Sequence, residues 1–271
     1  MIIQTAPEGQ PHFVIMQAEH ARMSGQLARA FGNMQFESLH PQALMERIVA
    51  HHDEGWLEVD ARQVRDPHTS LPYHLTQTPT QDLVQTSAGS PTFNEKHHAF
   101  CGIISSMHTY GLFHGRYGLS DMIYIDRINP AVRPQVEAML QGELARQARL
   151  KAQLAQDSAT AEWADDKFLF HHYKLLQFFD TLSLYFHTTH PTMRGEAQFK
   201  NVPLTLGNDV TLTIKPTGDG AYAMLPFPFT GERVETNVEG RYTMKFGADQ
   251  DAQSVLRAAK VERQSYIIVK E

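Results

Sequence analysis

The residues best suited to chemistry begin with His51-His52-Asp53-Glu54-Gly55-Trp56. Imidazole and carboxylate are the usual donors to a transition-metal ion, and here they are adjacent. Successive residues of a helix point about 100° apart, so His52 and Asp53 meet at one ion only at a helix end or bend. Gly55 provides the permissive backbone that such a bend needs. One of the tandem histidines is expected to face away. A His-Asp pair alone is a weak signal, because such pairs are common by chance.

Asp180 lies within Leu175-Leu176-Gln177-Phe178-Phe179-Asp180-Thr181-Leu182, a strongly apolar run. Burying an unpaired carboxylate there costs several kcal/mol, on the order of the desolvation of one ion. A metal ion, an arginine partner or a helix face turned to water would each resolve that cost. His108 and Arg116 fall in Ser106-Met107-His108 … Arg116-Tyr117-Gly118. His98, Cys101, Ser105 and His108 recur at helical spacing and so share a face. His108 suits a second metal, a general acid or a substrate contact, or else it caps a helix end. Arg116, between two glycines, suits bidentate capture of an anion. A lone histidine such as His20 is more often a core or boundary residue than a ligand. Fifteen histidines in 271 residues draw attention to the type, though most are expected to be surface or capping residues.

The elements that must position these groups are read from periodicity. Short β-like stretches at 1–5 and 13–16 precede a helix over 17–31, with Gly32 as its stop. A second helix runs over 41–53, with Pro41 suited to its first turn. Residues 57–92 are rich in Pro, Ser and Thr without clear period and read as a long loop, either a binding lid or a surface insertion. Helices follow over 95–113, 131–156 and 163–188. From 196 to 246 short alternating runs separated by Gly207-Asn208 and Gly218-Asp219-Gly220 read as antiparallel hairpins. A short helix over 250–259 and a last strand over 265–269 complete the chain, and that strand is a candidate partner for the N-terminal one. The fold class is α+β: a helical domain over 1–195 with a small antiparallel β region over 196–271 packed on it.

The formal net charge of −6 argues against binding a nucleic-acid backbone. It leaves room for a small anionic substrate, because a local metal and one arginine override the global sign. The single Cys101 rules out an intrachain disulfide. No stretch reaches the roughly 20 apolar residues that span a bilayer, and the first residues lack the pattern of a secretory signal. A cytoplasmic protein without a membrane partner is the expectation. The face of the 131–156 helix offers a surface for a homodimer, a solvated face being the simpler expectation.

The order of these groups resembles the HD superfamily of metal-dependent phosphohydrolases: a histidine on an early helix, His-Asp ending the next, an aspartate on a late helix. More closely, the chain resembles a bacterial domain-of-unknown-function family with HD-like architecture and an HDxGW motif. The matching pieces are Glu19-His20-Ala21 with Ser24-Gly25-Gln26-Leu27-Ala28, His52-Asp53-Glu54-Gly55-Trp56 followed by Asp60, and Gly89-Ser90-Pro91 with Phe93. Ser106-Met107-His108 with Gly111-Leu112 and Arg116-Tyr117-Gly118, and Phe179-Asp180-Thr181-Leu182-Ser183-Leu184, complete them. Together they cover roughly residues 15 to 190.

The resemblance implies a helical HD-like core with His20, His52, Asp53 and Asp180 as metal ligands, and it draws Asp60 in beside Arg116 as a substrate contact. Dinuclear HD sites carry two further, widely separated histidines. Here the candidates, His97 or His98 and His108, lie close together. A mixed N/O donor set suits Mn, Fe, Zn, Ni or Co better than Ca. His108 or Glu54 would handle the proton. The expected activity is metal-dependent hydrolysis of a small phosphorylated molecule or nucleotide. The alternatives are a dinuclear iron oxygenase and a non-catalytic, metal-stabilised binding or sensing protein.

Overall fold

The computed structural model describes residues 1–271. Eight helices and a seven-stranded sheet form an α+β fold: β1 (Ile2–Ile3), β2 (His12–Ile15), α1 (Gln17–Ala30), α2 (Gln42–Ala50), α3 (Leu57–Arg62), α4 (Thr80–Glu95), α5 (Ala99–Phe113), α6 (Arg133–Ala155), α7 (Asp166–Thr188), β3 (Ala197–Thr205), β4 (Asn208–Pro216), β5 (Ala221–Leu225), β6 (Arg233–Thr243), α8 (Ala252–Ala258) and β7 (Val261–Lys270). No helix is long and apolar enough to cross a membrane.

Helix α7 is the central element. Asp165 caps its start, accepting from the backbone N–H groups of Lys167 and Phe168. Its interior is apolar on almost every face, as a helix covered by neighbours on several sides must be. Helix α1 packs on both α7 and α2. Gly25 permits the α1–α2 approach, since a Cβ there would meet Ala50 Cβ at 2.5 Å.

The sheet runs in the order β1-β2-β6-β7-β5-β4-β3. All pairs are antiparallel except β5 with β7. The last strand therefore pairs with β6 and β5, not with the N-terminal strand. The N-terminal β2 joins the sheet through β6, with Phe13 opposite Tyr242. Hence the sheet draws strands from both ends of the chain. One cluster of 40 buried residues, from Ile2 and Met23 through Phe179 to Ile268, runs through helices and sheet alike, so both layers share a core.

The largest departure from expectation lies between 57 and 92. This stretch is not one long loop, because α3 and most of α4 lie in it. Pro91 sits inside α4 and has no N–H to give to Ser87 C=O. The Thr109 hydroxyl of α5 donates to that carbonyl at 3.0 Å instead. A tertiary hydrogen bond thus replaces the one that proline removes.

Candidate metal centre

Helix α4 shapes the turn that follows α2. Asn94 Nδ2 donates to His51 O at 2.9 Å, and Gly55 N–H donates to Ser90 Oγ at 3.0 Å. A Cβ on Gly55 would lie 2.2 Å from Thr86 O, so only glycine fits under α4. The resulting bend turns His52 and Asp53 inward. His51 faces the other way, bonded to Glu54 and lying against Phe93.

Four elements converge. His20 comes from α1, His52 and Asp53 from the bend, Asp180 from α7 and His108 from α5. His20 Nε2 is 3.1 Å from Asp180 Oδ1. His52 Nε2 is 3.5 Å from Asp53 Oδ2 and 3.8 Å from Asp180 Oδ1. Ligand atoms of His20, His52 and Asp180 all lie within 4.8 Å of one another, and so do those of His52, Asp53 and His108. These groups could hold a metal ion.

Hydrogen-bond partners assign the tautomers. His52 Nδ1 sits 2.8 Å from Val49 O, which only accepts, so Nδ1 carries the proton. In the neutral ring His52 Nε2 is then the lone pair, buried and without a hydrogen-bond partner, facing two carboxylates. His187 sets His20 in the same way. His187 Nε2 lies 2.9 Å from Met23 Sδ, which cannot donate, so that nitrogen bears the hydrogen. Burial holds the His187 pKa well below its usual value, so the ring is neutral and its Nδ1 accepts from His20 Nδ1–H at 3.0 Å. His20 Nε2 is left as a lone pair pointing at Asp180.

A lone pair facing a carboxylate is repulsive unless a proton or a metal ion lies between them. The titration behaviour agrees. Burial pulls the His52 pKa down, but Asp53 and Asp180 outweigh it and push the ring up to about 9. Burial raises the Asp180 carboxyl, yet the imidazoles of His20, His52 and His108 around it hold it well below the usual range. The site attracts positive charge to its centre.

His108 differs. Gln177 Nε2–H donates to its Nδ1 at 2.6 Å, and burial lowers the ring's pKa to about 3 although Asp180 opposes the shift. With the Gln177 amide in this orientation, the neutral ring carries its hydrogen on Nε2 and is a donor. A cavity of about 310 Å³ is lined by the four acid and histidine groups together with His108 and Arg116, and walled by Trp56, Leu112 and Phe113.

Arg116 reaches this cavity from an unusual backbone. Gly115, Arg116, Tyr117 and Gly118 have φ of 58°, 50°, 56° and 87°, a left-handed run. Each non-glycine residue in it costs about 1–2 kcal/mol. Tyr117, ring centroid 5.1 Å from that of Tyr173, packs the turn against α7.

Two expected site residues lie elsewhere. Asp60 is buried, with Oδ1 2.6 Å from the Met1 amino group and Oδ2 accepting from Gln17 N–H at 2.7 Å. Both oxygens are occupied in holding the start of α1, so Asp60 is no substrate contact. Glu54 is engaged by His51 and does not line the cavity, so it is not placed to move a proton there. His97 is exposed, and His98 caps α5 by accepting from Phe100 N–H. Neither stands near the cluster. Cys101 is a core residue whose thiol donates to Leu44 O.

Sequence reasoning passed over His187 and Gln177. Both share the α7 face of Asp180, at i+7 and i−3, and that helical spacing is the signal that identifies them.

A protein-family profile described as "Protein of unknown function (DUF3891)" matches residues 1–245, and the chain belongs to that family. No curated protein and no solved structure matches it.

Proposed function

We propose that this member of the DUF3891 family is a metal-dependent hydrolase, with His20, His52, Asp53 and Asp180 holding one divalent transition-metal ion. One observation carries the reading: two buried imidazole nitrogens, each with its hydrogen committed to the opposite side of the ring, face carboxylates across a few ångströms. Two nitrogens and two carboxylates suit Mn, Fe, Zn, Ni or Co. We take the substrate to be a small phosphorylated molecule or nucleotide. The resemblance to HD phosphohydrolases supports this, as does an arginine beside the centre.

Such an ion, when bound, acidifies a water and polarises a phosphoryl oxygen. The protein's own groups do the rest. Arg116 binds phosphate oxygens and orients them. His108 Nε2–H donates to an oxygen of the reacting group, with Gln177 fixing its ring. Trp56 and Phe113 keep one wall dry. A dinuclear oxygenase, the alternative, would use a ring nitrogen of His108 as a further ligand beside His52 and Asp53, and two metals per chain would mark it.

Elemental analysis of the purified protein, followed by a phosphoester and nucleotide panel with added Mn, tests the reading. About one ion per chain is expected, with phosphate release lost in His52→Ala. A folded protein that takes up no transition metal at any concentration would overturn it.

A further inference from the structure

A second cleft of about 300 Å³ adjoins the first and shares Arg116 with it. Besides Arg116, its polar lining includes Lys174, Lys200, Gln177 and Asn201, and no acidic residue faces it. Lys174 is paired with Asp209, but neither Arg116 nor Lys200 forms an ion pair.

The backbone is irregular on both sides of this cleft. The left-handed run at 115–118 carries Arg116. Opposite, the β3–β4 register shifts between Phe199 and Val202, so Lys200 and Asn201 stand out of the ladder. Asn201 has a φ of 57°. Bulges of this kind re-aim side chains, and strained backbone gathers where a ligand is clamped. Two separate distortions, one after α5 and one in β3, deliver a cation each to the same small space. The wall between the cleft and the metal centre includes Gln177, whose amide also holds His108.

We propose that this cleft is an anion subsite, binding a second, non-reacting phosphate or carboxylate of the substrate through Lys200, Asn201 and the shared Arg116. It rests on the hydrolase reading for the word substrate, and on the cleft alone for the anion. The substrate class is thereby narrowed to molecules with an anionic group beside the phosphoester to be cleaved.

Calorimetric titration of the full chain, stripped with a chelator and held at low salt, tests the subsite without the metal centre. Inorganic phosphate and malonate are the two probes. Saturable binding of at least one is expected, and the tighter of them identifies the group. Lys200→Gln, at an exposed position, should weaken binding about 10-fold with an unchanged melting temperature. Arg116→Gln should weaken it further, and the double variant should abolish it. The proposal is overturned if neither probe binds, or if Lys200→Gln binds as the parent does. Binding by the stripped protein beside an inert metal-loaded one would retain the subsite and discard the hydrolase. Hydrolysis without anion binding would do the reverse.

Discussion

Two histidine-rich regions lie inside this molecule, and they behave oppositely. At the candidate metal centre, His52 faces Asp53 and Asp180 and its pKa rises to about 9. At the far end of α5, His40, His98 and His172 gather with Phe100, Phe168 and Trp163. There His172 has both ring nitrogens against backbone carbonyls, Phe168 O at 2.7 Å and His40 O at 2.6 Å. Those contacts favour a second proton, but burial outweighs them and lowers the ring to about 4. Imidazole is common to both places, and the carboxylates are not. A cluster of histidines therefore says little about metal until the acids beside it are placed.

The sharpest test compares one residue from each region. Asp180→Ala should drop metal content from about one ion per chain to below about a tenth, because the remaining donors no longer form a closed set. His98→Gln should keep the metal and lose only the cap, about 1 kcal/mol of stability. Elemental analysis and urea unfolding on both variants would break the contrast if metal content fell equally in the two.

Next in size is Phe100→Ala, in the aromatic region. Phe100 is fully buried, and its removal should cost about 3–5 kcal/mol in urea unfolding. Metal per folded chain should not change. A selective loss of metal in that variant would show the two regions to be one functional unit.

A smaller effect is expected behind His20. His187→Leu removes the acceptor that fixes the His20 tautomer and should weaken metal affinity about 10- to 100-fold in a chelator competition. His187→Asn, with a side-chain oxygen able to accept from His20 Nδ1–H, should recover part of the loss. Equal affinities in Leu and Asn variants would leave His187 as mere packing.

The smallest effect is a pH dependence in the aromatic region. His172 ionises near 4 when folded and near 6.5 when unfolded, so between those values the unfolded chain binds more protons. Its contribution is whole above about pH 6.5 and is lost as pH falls toward 4. His172→Gln should flatten the decline by about 1–2 kcal/mol between pH 7 and 5. A decline as steep as in the parent would place the acid sensitivity elsewhere.

The sequence by itself determined a good deal. Apolar patterning marked α1, α2, α5, α6 and α7 to within a few residues. Helices α1, α2 and α6 each bury one apolar face, while α5 and α7 are apolar nearly all round, as long buried helices must be. It also singled out His20, His52, Asp53 and Asp180; the structure brings His20, His52 and Asp180 within reach of one another, and Asp53 within reach of His52. The chemistry of a bend after α2 was legible in Gly55. What only the tertiary structure decided were partners distant along the chain. Helix α4 has no apolar period and contains Pro91, and it stands because Thr109 takes over the carbonyl that proline frees. Glu54 and Asp60 are as acidic as Asp53, yet one is engaged by His51 and the other by the start of α1. The pairing of β7 with β6 and β5 depends on which strand edges meet in space. Local pattern sets which face of an element is apolar. Which donor meets which acceptor across that face depends on how the elements pack.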